Sequence, residues 1–342
     1  MSNKKTNTAL RIAAGVGLGL SGAALAVGAL YTEIMTSVIS RRRTPATDAV
    51  VSIATGYEPA PPDPAIAALI QALRDTPMET VAIRSHDDYV LRARWYPAAD
   101  AKRTVILAHG WHSHWSVDFS ASTPFLHDQG CNLLIIDQRC HGESGGDLIS
   151  YGIRERYDIL SWLDWLEENH SGYPVYLCGI SMGAATVLMA AGLPIAGRVR
   201  GILADCGYST PREIVSLTLK KNVGGLAGPT VAAVNLNCKL REGFTLKDYS
   251  PIEAMAANTE IPCLFVHGDA DDFVPWRMSL ENYYACRAPK ELLVVHGAGH
   301  GLSFLVDPDR YKAKVLEFFS AYDTPVVLPA GKRRRRGKGG TP

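Results

Sequence analysis

The residues that most constrain this chain run from Val175 to Ala185 and read Val-Tyr-Leu-Cys-Gly-Ile-Ser-Met-Gly-Ala-Ala. The apolar run that follows Gly172 and Pro174 reads as a buried strand, and Ala184 to Ala191 reads as a helix, so Ser181 stands where strand turns into helix. A turn that tight strains the serine backbone and crowds positions 179 and 183 together, where glycine leaves room. The following helix aims free N–H groups and its positive dipole end at negative charge developing beside the serine oxygen. This is the geometry of a nucleophile elbow. With 31 glycines in 342 residues, Gly-x-Ser-x-Gly alone carries little weight, so the other strand ends must supply the rest of a site.

The length allows one large domain or two smaller ones, and 47% hydrophobic with 20% charged residues suits a globular chain with a sizeable core. A net charge of +1 gives no global attraction to nucleic acid, and none is expected as a partner. From Ile12 to Tyr31 no charge occurs, and the run lies between Lys4, Lys5 and Arg11 on one side and Arg41-Arg42-Arg43 on the other. Its length is about that needed to cross a bilayer, so residues 1–11 read as a basic flank and 12–31 as a transmembrane anchor. A secretory signal cleaved near Ala24-Leu25-Ala26 and a buried helix are the competing readings. Basic residues on both flanks leave membrane sidedness open. Gly15 and Gly19 have a spacing that supports helix pairing, which by itself does not set the oligomeric state.

Residues 32–76 read as a linker rich in proline, with a short helix over Pro64 to Arg74, and 324–342 as a basic tail containing Lys332-Arg333-Arg334-Arg335-Arg336. The globular domain is expected over 77–323. Its seven cysteines lie mostly inside apolar runs and form no CxxC pair, which points to buried thiols in a reducing compartment rather than disulfides or structural zinc.

Within that domain, Thr80 to Tyr96 reads as an antiparallel hairpin, after which strands and helices alternate to a closing helix at Pro308 to Tyr322. Continuous apolar strands separated by helices imply a mostly parallel sheet covered on both faces. The exception is a long insertion over about 207–260, broken by Gly224, Gly225, Gly228 and Pro229, which reads as a small helical cap.

In an open parallel sheet, ligands bind beyond the carboxyl ends of the strands. The residues found there are His109-Gly110-Trp111-His112, then Asp137 to Gly145, Ser181, Asp205-Cys206-Gly207-Tyr208, His267 to Pro275, and His296 to His300. The motifs HG, DxRxHGxS, GxSxG, HGxxDxxVP and GxGH, in this order, make residues 78–322 resemble an α/β-hydrolase, in the branch of serine-aminopeptidase-like and membrane-associated bacterial hydrolases. The resemblance implies an α/β-hydrolase fold and a triad of Ser181 as nucleophile, Asp271 as acid and His300 as base, with the backbone N–H groups of Trp111 and Met182 as oxyanion donors. Asp269, Asp272 and Asp205 compete for the acid, and His296 and His267 for the base. His109 and His141 read as loop braces, and Asp137 with Arg139 as a structural polar pair.

The resemblance also implies the chemistry. Ser181 needs His300 to take its proton, and Asp271 holds the imidazole in the required tautomer. A carboxylic ester cleaved through an acyl-serine intermediate is the expected substrate, small or lipid-like, with aminopeptidase-like or thioesterase activity as alternatives and a non-catalytic binding protein as the remaining reading. Glu213, Glu242, Glu253 and Glu260 are candidates to hold the amine of a peptide. No cofactor is expected. His109, His112, His114 and Asp118 do not match the metal-hydrolase HxHxDH pattern, since Ser116 stands where its aspartate belongs, so no metal is expected. Trp111, His112, His114 and Trp115 read as the mouth of an acyl pocket.

Overall fold

The computed structural model describes residues 28–42, 44 and 63–323. Eight strands form one sheet: β1 (Glu79–Arg84), β2 (Val90–Tyr96), β3 (Arg103–Ala108), β4 (Cys131–Ile136), β5 (Val175–Ile180), β6 (Val199–Asp205), β7 (Cys263–Gly268) and β8 (Lys290–Val295). Their order is β1-β2-β4-β3-β5-β6-β7-β8. The expected hairpin is present, and β2 also pairs antiparallel with β4, while every pair from β4 to β8 is parallel. Strands β3 and β4 are buried at every residue, which explains why they read as unbroken apolar runs instead of alternating ones.

Each face of the sheet carries its own core. Ile106, Leu134 and Leu177 pack against Ile159, Trp162 and Leu163 of the helix Glu155–Asn169 and against the helix that follows Ser181. Val105, Leu133 and Tyr176 pack on the opposite face against Leu73, Leu126 and the Val315–Phe319 stripe of the closing helix Pro308–Tyr322. The sheet is therefore rigid at the strand ends where functional loops begin.

A third apolar cluster lies above those ends, beneath the insertion. The insertion contributes two cap helices. Pro211–Val223 has Thr210 as its N-cap, and Ala227–Glu242 ends at Gly243 in the left-handed conformation (φ 68°). The helix Pro251–Ala257, expected inside the cap, instead packs its Ala254 and Met255 into the core with the elbow helix. Its apolar side faces the sheet layer, so the cap is shorter than 207–260.

The N-terminal side also departs from expectation. Residues 32–40, expected as linker, continue a helix that occupies 28–40, and Met35 and Ile39 join the cluster beneath the cap. The sequence 28–40 presents apolar side chains to the cap, which stabilises a docked helix over an extended tether. Most of the expected transmembrane span, residues 12–27, lies outside the described residues, as does the tail 324–342. Among the described residues no helix is long and apolar enough to cross a membrane. The short helix after the prolines is present as Pro64–Asp75, capped by Asp63.

Candidate active site

Ser181 has φ 56° and ψ −116° and stands between β5 and the elbow helix Met182–Ala190. A Cβ at Gly183 would overlap the carbonyl of Ala108 in β3, and one at Gly179 would overlap the backbone of Gly183. Both glycines are required by close approach of backbone to backbone, as the tight turn predicts. Strain of this kind is not confined to Ser181. His112, Cys140 and Cys206, just beyond β3, β4 and β6, also have positive φ, and so does Tyr151. Non-glycine residues in that region cost energy that the surrounding packing must offset, and here they ring the sheet's carboxyl edge.

The three residues expected as a triad come together from three strand ends. His300 Nε2 lies 2.9 Å from Ser181 Oγ, and its Nδ1 lies 2.7 Å from Asp271 Oδ2. With the carboxylate accepting from Nδ1–H, Nε2 is left to accept the serine proton. Burial alone would raise the Asp271 carboxyl, but hydrogen bonds from His267 and His300, with the backbone N–H of Val274, hold it well below its ordinary value. It therefore stays ionised opposite an imidazole that gains charge.

The competitors have other partners. Asp205 is fully buried, accepts from Ser303 Oγ at 3.0 Å, and has its carboxyl raised by that burial. Asp269 pairs with His296 at 2.7 Å on the surface. Asp272 lends only its backbone carbonyl to Lys221. His267 is a second imidazole on the acid: its Nε2 lies 3.1 Å from Asp271 Oδ2 and 2.9 Å from the Val274 carbonyl, while its Nδ1 lies 2.7 Å from Ser279 Oγ. Two acceptors face Nε2, so that nitrogen carries the proton, and His267 anchors Asp271 without reaching Ser181.

The loop after β3, where an oxyanion donor is expected, is tied down at Gly110, His112 and Ser113. Gly110 N–H donates to Asp118 Oδ2 at 2.6 Å, Ser113 Oγ donates to Asp118 Oδ1, and His112 N–H donates to His141 Nε2 at 3.0 Å. His109 Nε2 accepts from Gln138 N–H at 3.1 Å, which links the loops after β3 and β4. Between these, the N–H of Trp111 and that of Met182 at the start of the elbow helix donate no hydrogen bond to any described residue. His109 and His141 brace loops as expected. Asp137 and Arg139 do not pair with each other: Arg139 binds Asp158 and Asp87, and Asp137 accepts from Glu143 N–H. The Arg139 guanidinium is engaged instead by carboxylates that other segments bring to it.

Two cavities meet at Ser181. The larger, with about 370 Å³ of free volume, is lined by His300, Leu302, Phe304, Val117 and Ile66 among others. The smaller has only about 20 Å³ and is lined by Trp111, Tyr151, Tyr208, Ile214, Val215, Phe273 and Ile39. Trp111 thus lines a pocket as expected, but Trp115 is buried in the core, His114 caps the helix Trp115–Asp118, and His112 stacks on Trp111 at 4.2 Å. Tyr208 and Phe273 stand within the strand-end segments read from the sequence, whereas Tyr151 and Ile39 carried no signal there, since each lies in a segment that only packing brings to the serine. The four candidate glutamates lie outside both cavities; Glu213 pairs with Arg277, Glu242 with Arg154, and Glu253 with Ser250.

Side-chain atoms of Cys206, Asp271 and His300 lie within 4.8 Å of one another. The set does not suit a metal, because burial and the neighbouring Asp205 push the Cys206 thiol well above its ordinary value, and both other groups already bond each other.

The family model for serine aminopeptidase, S33, matches residues 99–227. A relative from Bacillus subtilis, the uncharacterized protein YqkD, is 31% identical over 224 residues, covering 64% of this chain and 72% of its own. Among solved structures, the Pyrococcus furiosus esterase Pf2001 superposes with a TM-score of 0.58 at 22% identity, covering 72% of this chain and 93% of that one. A serine hydrolase involved in carbazole degradation, CarC, gives 0.52 at 17% identity, covering 72% and 100%.

Proposed function

The chain belongs to the α/β-hydrolase superfamily, and from that premise we propose that it is a serine hydrolase cleaving carboxylic esters through an acyl-serine intermediate. The observation that carries this reading is the unbroken hydrogen-bonded line Ser181–His300–Asp271 beside two backbone N–H groups that donate to no described residue. In this mechanism His300 takes the Ser181 proton as the hydroxyl attacks the ester carbonyl. The N–H groups of Trp111 and Met182 stabilise the resulting oxyanion, an effect that typically lowers a barrier by about 3 kcal/mol per donor. His300 then passes the proton to the departing alcohol, water repeats the sequence, and the acid is released.

The leaving group has to lie on the side of the general acid. His300 lines the larger cavity and not the smaller, so the alcohol is assigned to the larger cavity and the acyl chain to the narrow apolar one. An ester is favoured over an aminopeptidase substrate because a free amine needs a carboxylate partner. The carboxylates that line the cavities are Asp118, already bonded to Gly110 and Ser113, and Asp205, bonded to Ser303. Ser181→Ala is expected to abolish both turnover of p-nitrophenyl esters and labelling by a fluorophosphonate probe. Labelling that persists in the variant would refute the nucleophile, and faster turnover of aminoacyl amides than of esters would favour the peptidase.

We also propose that the uncharged run of residues 12–31 anchors the enzyme to a membrane, with a small-molecule or lipid-like acyl ester as substrate. The support is its length and flanking basic residues. Recovery of the activity in the soluble fraction of lysed cells, with the N-terminus intact, would exclude it.

A further inference from the structure

The N-terminal helix belongs to no part of the hydrolase domain, yet it closes the narrow pocket beside Ser181. Ile39 is 4% exposed and, among the described residues, is the one that lines the pocket from outside residues 63–323. Its position is held by the carbonyls at the end of its helix. The last carbonyls of a helix lack internal partners. Here the Ile39 carbonyl accepts from Trp111 Nε1 at 2.9 Å and from the Tyr151 hydroxyl. The Ser40 carbonyl accepts from Ile149 N–H, and the Arg41 carbonyl from His112 Nε2 at 2.9 Å. Trp111, Tyr151 and His112 are themselves pocket or oxyanion-loop residues, so the helix end and the active-site loops satisfy one another. On its other side the helix is fastened to the second cap helix: Tyr31 Oη lies 2.9 Å from Thr230 Oγ1, Asn237 Nδ2 donates to Thr36 Oγ1 at 2.9 Å, and Glu33 pairs with Arg241.

Building on the esterase reading, we propose that Ile39 is the specificity residue that limits acyl-chain length, and that the enzyme accordingly prefers short linear acyl esters. The geometry supports each part. At about 20 Å³, against about 370 Å³ for the cavity on the other side of Ser181, this is the tighter of the two pockets, and it favours a short acyl chain over a long one. Ile214 and Val215 line the pocket from the first cap helix, and Phe273 and Tyr208 come from the strand-end loops. Those residues are built into the domain, whereas Ile39 projects from a separate docked helix. Shortening its side chain deepens the pocket without disturbing the sheet, the triad or the loops.

The test compares kcat/KM for p-nitrophenyl acetate, butyrate and hexanoate across variants of the full chain. Wild type is expected to favour acetate and butyrate. Ile39→Ala should raise the hexanoate-to-butyrate ratio by roughly fifteenfold, about fourfold for each added methylene that becomes buried. Ile39→Val, which removes one methyl group and keeps the helix docked, should move the ratio in the same direction by a smaller factor. Met35→Ala serves as a control, because Met35 is buried under the cap but does not line the pocket. It should lower the melting temperature and leave the ratio unchanged. Fluorophosphonate labelling of each variant reports whether the triad is intact. If wild type neither labels nor hydrolyses esters, the esterase reading fails. If wild type labels and hydrolyses but neither Ile39 variant alters the ratio, or Met35→Ala alters it equally, the assignment of Ile39 is overturned.

Discussion

Asp205 ends β6 and Asp271 lies in the loop just after the adjacent β7, and their partners separate them. Asp271 accepts from two histidines and from backbone N–H groups, whereas Asp205 accepts from the Ser303 hydroxyl. Asp271→Asn is expected to cut kcat by about 10⁴-fold, since the amide would select the wrong imidazole tautomer. Asp205→Asn keeps the acceptor that Ser303 needs and should retain activity within about tenfold of wild type. Steady-state kinetics with the two variants checks the assignment, and the reverse ranking would move the acid to β6. The depressed Asp271 carboxyl also has a consequence for stability. A carboxyl whose folded value lies below its unfolded 3.8 contributes stability above that value and loses it as the pH falls through the folded value. Stability measured by denaturant unfolding should weaken below about pH 4, and Asp271→Asn should flatten that dependence.

At the scale of elements, the elbow and the docked helix obey different physics. The elbow is set by contact between backbones, because no side chain fits between Gly183 and the Ala108 carbonyl. Gly183→Ala has to separate β3 from the elbow helix and should cost about 3 kcal/mol or more, read as a fall in the chemical-denaturation midpoint with no change in slope. The N-terminal helix instead depends on cap-like hydrogen bonds to side chains. Trp111→Phe keeps an aromatic ring in the pocket but removes the indole donor to the Ile39 carbonyl. The expected result is a loss of about 1 kcal/mol in stability, with a fall in kcat larger than any rise in KM because the oxyanion loop loses a tether. An unchanged kcat would show that the helix and the loop are independent.

For the whole molecule, the buried His141 that helps hold the loops contributes to how stability varies with pH. His141 is enclosed beneath the oxyanion loop, and burial, with His109 nearby, pushes its imidazole well below 6.5. A group lowered in the folded state destabilises the fold as the pH drops below the unfolded value, because only the unfolded chain takes up the proton. Stability should therefore begin to fall below about pH 6.5, before the carboxyl transition near pH 4. His141→Gln should shrink the upper step of a melting-temperature profile while leaving the lower one. The sequence by itself determined the order of strands and helices, the elbow at Ser181 and its two glycines, because these follow from local periodicity and from steric limits that act within a few residues. It also ranked Asp271 and His300 ahead of their neighbours, through the resemblance carried by the motifs on β7 and β8. Only the tertiary structure decided that Arg139 pairs with Asp158 rather than Asp137, that Pro251–Ala257 belongs to the core, and that residues 32–40 form a helix lining the pocket. Each of these depends on groups far apart in the chain. Ile39 and Trp111 are 72 residues apart, and their meeting is set by which surfaces the cap leaves open, which no local pattern encodes.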